Sequence, residues 1–340
     1  MAETVRGKKT HVAGVPEWDL SDLYIGMADP LLDRDLSGAE ELAHEFSGRY
    51  QGRISVLNCH EFGSAIKLFE ELSEALSRIM SFAQLMFAAN TKDAEVSKFW
   101  QNTNEKVTSI STLTLFFELE INKLEEDDYS RLSKSPEVKA YKPWLDAIRV
   151  HRPYQLSNDL EKLIHEKSVA GRIAWSRLFD ETMAGLRFVM GNKKLNSNEV
   201  VNRMSDRNSK VRKDAAKAFG NGLGENIRLF ALITNTLAKD KEIEDRWRGL
   251  PRPVSSRNLV NQVEDAVVDA LGHAVRAAYP HLSHRYYELK ARWMGQDVLD
   301  YWDRNAPLPE ADNVNISWDE AKNTVLEAYH GFDSRLGEIA

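Results

Sequence analysis

A single cysteine, Cys59, stands among the 340 residues, so no internal disulfide can form and no thiolate cluster can hold zinc. The expected role of Cys59 is packing. Long apolar runs are missing as well. None approaches the ~18 residues that a membrane span needs, and the opening MAETVRGKKTHVAG lacks the apolar core of a secretory signal. The reading is therefore a cytoplasmic protein without a membrane partner. Positive charge is in deficit, with 45 Lys and Arg against 52 Asp and Glu and a net charge of −7. That balance argues against nucleic acid as a partner, because such affinity comes from neutralising phosphates. The basic run Ser209 to Lys217 reads as a solvated helix face.

Several catalytic signatures are also missing. No G-x-S-x-G elbow occurs, and His60 beside Cys59 in sequence does not make a catalytic dyad. Gly220 to Gly224 lies between two helical patterns with no strand before it and no Lys-Ser/Thr after it, so it reads as a helix break rather than a phosphate loop. There is no internal repeat.

What is present is enough apolar sequence, 42% with 29% charged, to bury one large core or two smaller ones. The first dozen residues, with Lys8, Lys9 and Gly14, read as mobile. Trp18 to Tyr24 reads as a segment whose Trp and Leu side chains enter a core. Helical periodicity then dominates. Helices are expected over Ala39–Tyr50, Phe62–Ala89 and Asp93–Leu124, the last two packed as an antiparallel hairpin through stripes that include Ile66, Leu72, Ile79, Val96, Trp100 and Ile110. Polar connectors at Glu125–Asp128 and Ser133–Pro136 precede a helix over Glu137–Arg149 and another from Ser157 to about Thr182.

Leu186–Val189 and Lys193–Leu195, joined by Gly191-Asn192, read as a small β-hairpin. Helices follow over Asn198–Met204, Val211–Phe219 and Glu225–Trp247. Leu250–Ser256 reads as a linker, and Asn261 with Glu264 as a capping box for a helix through Val267, Leu271 and Val275. Ser317 and Glu320 suggest the same device, and Ser334–Ala340 reads as a helix begun and cut off.

The stretch Pro280 to Pro309, PHLSHRYYELKARWMGQDVLDYWDRNAPLP, opens as a helix with Leu282, Tyr286, Leu289 and Trp293 on one stripe and Gly295 as an αL cap. Val298, Leu299, Tyr301 and Trp302 then read as a strand in need of a ladder partner. The wording HRYYELKARWMG and VLDYWDRNAPLP resembles the oligoendopeptidase F branch of the thimet-type zinc metallopeptidases, and WDLSDLY, RNLVNQV and ISWDEA fit the same family. The resemblance implies a mainly α fold: an N-terminal helical lobe, then the first helices and edge strand of a zincin-like peptidase domain, with one small hairpin. It divides the chain into a flexible start (1–15), a helical domain (16–200) and the beginning of the peptidase domain (201–340). Complete members, by the same resemblance, hydrolyse short peptides with zinc held by H-E-x-x-H and a later glutamate.

That metal motif does not occur in this sequence. His60-Glu61 and His165-Glu166 begin it, yet Ser64 and Val169 occupy the fifth position, so both pairs read as structural. His273, His281 and His284 have no evident ligand spacing and read as interface histidines. The expectation is thus no catalytic, cofactor or metal residue in this chain, which is inactive alone and needs a separately encoded C-terminal catalytic half. The alternative is a non-catalytic helical scaffold that binds peptides. Arg285, Tyr287 and Lys290 are the candidates for lining a substrate channel, with Tyr286 expected in the core and Asp303 and Arg304 as a pair capping the Asn305–Pro309 turn.

Overall fold

In the computed structural model, which describes residues 18–309 and 315–340, the chain is mainly α with one two-stranded sheet. The expected mobile start lies outside the described residues. Of the Trp18–Tyr24 segment, Tyr24 does enter the core, with its ring 5.3 Å from that of Phe82 and its hydroxyl donating to Asp35 at 3.0 Å. Trp18 does not, and is 96% exposed. The turn in which Leu23 and Tyr24 bond back to the Leu20 carbonyl aims only one side of the segment inward.

Helix α1 (Pro30–Tyr50) starts a full two turns before the expected Ala39. Asp29 caps it by accepting from the Leu31 N–H, and Pro30 fills a first-turn site where its missing N–H costs nothing. Helix α2 (Cys59–Ala89) begins at an Asn58–Glu61 capping box, and α3 (Ala94–Thr114) at Asp93. The expected α2–α3 hairpin forms, with Phe87 stacked on Trp100 at 5.3 Å and the Trp100 indole donating to Gln84 at 2.8 Å. The periodicity of α3 resumes, after Leu115, in the short α4 (Phe116–Lys123). Phe46, Phe62, Ile66, Phe117 and Leu145 make one buried cluster and Leu32, Leu72, Ile79, Phe82 and Ile110 a second. Cys59 packs on the first of these.

The segment read as a polar connector forms α5 (Glu126–Ser133), because Tyr129 and Leu132 bury one face of it. Helix α6 (Lys142–Arg149) follows. The single helix expected after Ser157 is two, α7 (Asn158–Lys167) and α8 (Arg172–Gly185), interrupted around Gly171. Strands β1 (Phe188–Met190) and β2 (Lys193–Leu195) pair Phe188 with Leu195, and Gly191 takes the positive φ of 62° that the turn demands.

Beyond the hairpin come α9 (Ser197–Arg203) and α10 (Ser209–Glu225). The expected break at Gly220–Gly224 does not occur. A Cβ on Gly222 would lie 2.6 Å from Cδ1 of Phe188, so this glycine lets the hairpin seat against an uninterrupted helix. Helix α11 (Ile227–Arg248) stops at Gly249, whose φ is 72°. The expected linker is pinned by Arg252, which grips the Asp269 carboxylate with two bonds of 2.8 Å, and part of it joins α12 (Ser255–Val260).

No Asn261–Glu264 box forms, since Asn261 ends α12 and Glu264 precedes α13 (Asp265–Ala278) without a side-chain cap. Helix α14 (Arg285–Trp293) follows, then α15 (Trp318–Phe332), capped by Ser317, and α16 (Ser334–Ile339). No helix among the described residues is long and apolar enough to cross a membrane.

Candidate functional site

Helices α13 and α14 are joined by a π-helical turn, Pro280–His284, in which His284 donates to the Tyr279 carbonyl at 2.9 Å. Pro280 has no N–H to give and its ring crowds the carbonyl four residues back, so the wider turn relieves both problems. The turn also realigns a stripe. Val267, Leu271, Val275 and Tyr279 recur every four residues, and each step overshoots the α repeat by roughly 40°. A wider turn rotates less per residue, which brings Leu282 and Tyr286 back to the same face. This face is open: Leu271 is 64% and Leu282 68% exposed, and α13 has no buried residue. Tyr286, expected in the core, is 44% exposed because the face it shares has nothing against it among the described residues.

At the end of α14, Gly295 is left-handed (φ 69°), its N–H donates to the Arg292 carbonyl, and the Gln296 N–H reaches back to Ala291 at 2.9 Å. This Schellman cap returns the chain over its own helix. The expected strand from Val298 does not form. No described backbone lies beside it as a ladder partner, and Tyr301–Asp303 winds into a 3₁₀ turn instead. The turn is fixed by Asp303, which is fully buried. Oδ1 of Asp303 accepts from Arg212 Nε (2.8 Å), and its Oδ2 from the Gln296 amide (3.0 Å). The pair is thus Asp303–Arg212, not Asp303–Arg304.

Between α14 and the returning chain lies a groove of about 450 Å³. Tyr287, Ala291, Val298, Leu299 and Tyr301 supply its apolar surface and His284, Glu288, Asp297, Asp300 and Arg304 its rim. Tyr287 is thus the one channel candidate that lines it. Arg285 is exposed beside it. Lys290 is buried beneath, donating to the Arg304 carbonyl at 2.7 Å, and burial together with the nearby Arg212 charge holds its ammonium below the ordinary lysine range. Arg212, Gln296 and the carboxyl role of Asp303 were beyond sequence reasoning. A lone arginine on an amphipathic helix gives no sign of a partner 91 residues away.

The other candidates are structural. Glu61 closes the cap of α2, and Nε2 of His165 lies 2.8 Å from the Ser111 hydroxyl. Among the described residues no three His, Cys, Asp or Glu side chains converge on a point that could hold a metal ion, His273, His281 and His284 included. The described residues therefore do not fit a zinc site.

A family model described as Oligopeptidase F matches residues 120–188. The chain is 24% identical over 332 residues to the oligopeptidase PepF of Bacillus subtilis, covering 94% of this chain and 48% of that one. It is likewise 24% identical over 329 residues to the group B oligopeptidase PepB of Streptococcus agalactiae, covering 92% and 52%. Among solved structures, oligoendopeptidase-F from Enterococcus faecium superimposes with a TM-score of 0.75 at 20% identity, over 91% of this chain and 64% of that chain. The fold is therefore shared with part of that solved chain. The chain is thus similar in sequence and fold to oligoendopeptidase F proteins, and it spans about half the length of the curated relatives it matches.

Proposed function

We propose that the chain is the N-terminal, peptide-handling part of a zinc-dependent oligopeptidase of the cytoplasm. A catalytic part bearing H-E-x-x-H packs against α13, the π turn and α14. The observation that carries this reading is the open stripe from Val267 to Tyr286. A 14-residue amphipathic helix gains most of its stability from burying its apolar face, and here that face is bare. The relatives are named as oligopeptidases, which supports peptides as the substrate class. In this reading residues 16–200 form the N-terminal lobe and 201–340 the beginning of the peptidase domain.

The test is complementation. The 340-residue chain is mixed with the polypeptide encoded by the adjacent frame, and zinc content and cleavage of a quenched oligopeptide are measured. Uptake of one zinc with cleavage supports the proposal. No H-E-x-x-H downstream, or a mixture that binds no zinc and cuts nothing, rejects it. A second reading, a non-catalytic peptide-binding scaffold, is favoured by one observation: the groove beside α14 joins an apolar lining of Tyr287, Val298 and Leu299 to the acidic side chains Glu288, Asp297 and Asp300.

A further inference from the structure

We propose that the groove between α14 and residues 297–304 is a binding site for a short extended peptide that presents an arginine or lysine side chain. The proposal rests on the reading of the chain as the peptide-handling part of an oligopeptidase.

The charges on the rim choose the occupant. Glu288, Asp297 and Asp300 are exposed, and none of their carboxylates has a hydrogen bond or ion pair among the described residues. They face one guanidinium, that of Arg304, and the His284 ring, which lies against Tyr279 at 6.3 Å between centroids. Negative charge is thus in excess around an apolar floor. Such a floor suits the methylene stem of an arginine or lysine, whose head then reaches the rim carboxylates. Among the lining residues an acidic side chain would find only Arg304 as a cationic partner.

The main chain supplies the second half of the argument. The N–H and C=O groups of Asp297, Val298 and Leu299 make no hydrogen bond among the described residues, and Asp300 has extended geometry (φ −66°, ψ 151°). Asp297 and Val298 bend, so an extended peptide can pair with the unbonded groups of Leu299 and the Asp300 N–H beyond the bend, regardless of its sequence, while the rim selects its side chain. Tyr287 and Tyr301, on opposite banks, are the ring surfaces available to it. The floor is held still by the Arg212–Asp303 pair and by Lys290, so binding does not have to order it.

The experiment uses the 340-residue chain alone, without zinc, so its outcome is independent of whether complementation restores cleavage. Fluorescein-labelled pentapeptides that differ only in a central Arg, citrulline or Glu are titrated at two salt concentrations. The Arg peptide is expected to bind about ten-fold tighter than the citrulline peptide at low salt, with the gap closing as salt rises. In the double variant D297N/D300N, both positions exposed and free of structural bonds, the preference is expected to fall to about two-fold or less. A photoreactive version of the Arg peptide is expected to label residues 284–304. Equal affinity for the three peptides, no binding at all, a preference unchanged in D297N/D300N, or labelling on the α13 stripe would each overturn the proposal.

Discussion

Arg212 and Asp303 form a buried ion pair across 91 residues of sequence, with the Arg212 side chain 1% and the Asp303 side chain 0% exposed. The guanidinium also donates to the Asp206 and Arg207 carbonyls at 2.7 and 2.8 Å, so each of its three nitrogens is engaged. This pair fastens the start of α10 to the turn that closes the groove. Asp303→Ala leaves a buried cation without its counter-charge and is expected to cost roughly 3–5 kcal/mol. Urea denaturation checks it. A loss below about 1 kcal/mol would mean that water or another acceptor replaces the carboxylate.

Gly222 is the point where the hairpin touches α10. Gly222→Ala adds a methyl group 2.6 Å from the Phe188 ring, and the resulting overpacking is expected to cost about 1–3 kcal/mol despite the better helix propensity of alanine. Combining it with Phe188→Leu should recover part of that loss. If Gly222→Ala proves stabilising, the close approach of hairpin and helix is not as described.

Two histidines, the half-buried His165 and the more exposed His151, tie stability to pH. Burial holds His165 below its ordinary range, with Glu166 and the Thr108 carbonyl opposing, while burial and then the Arg248 charge hold His151 below it. In the window just under pH 6.5 the unfolded chain binds more protons at these sites than the folded one, so stability is complete above pH 6.5 and is lost as pH falls below it. Denaturation midpoints at pH 7.5 and 5.5 test the sign, and His165→Gln should shrink the difference. A midpoint that rises on acidification contradicts it.

The stripe on α13 and α14 predicts association. At micromolar concentration the 340-residue chain should bind an apolar dye and sediment as species larger than a monomer. Leu271→Lys together with Leu282→Lys should reduce both, since each side chain is more than 60% exposed and its replacement leaves the core intact. A clean monomer that ignores the dye would show that the face is covered from within.

The sequence by itself determined the helices with strong 3.6-residue stripes, the α2–α3 hairpin, the β1–β2 turn at Gly191 and the left-handed stop at Gly295. Each depends on residues within a few positions of one another, so periodicity and turn chemistry suffice. What only the tertiary structure decided were the features that depend on distant partners. Phe188 packs on a glycine-rich stretch that continues as helix, Arg212 replaced Arg304 as the partner of Asp303 in a 3₁₀ turn where a strand was expected, and Lys290 was drawn from the expected channel lining to the Arg304 carbonyl. Those outcomes follow from burial and charge pairing across tens of residues, a distance over which local pattern carries no information.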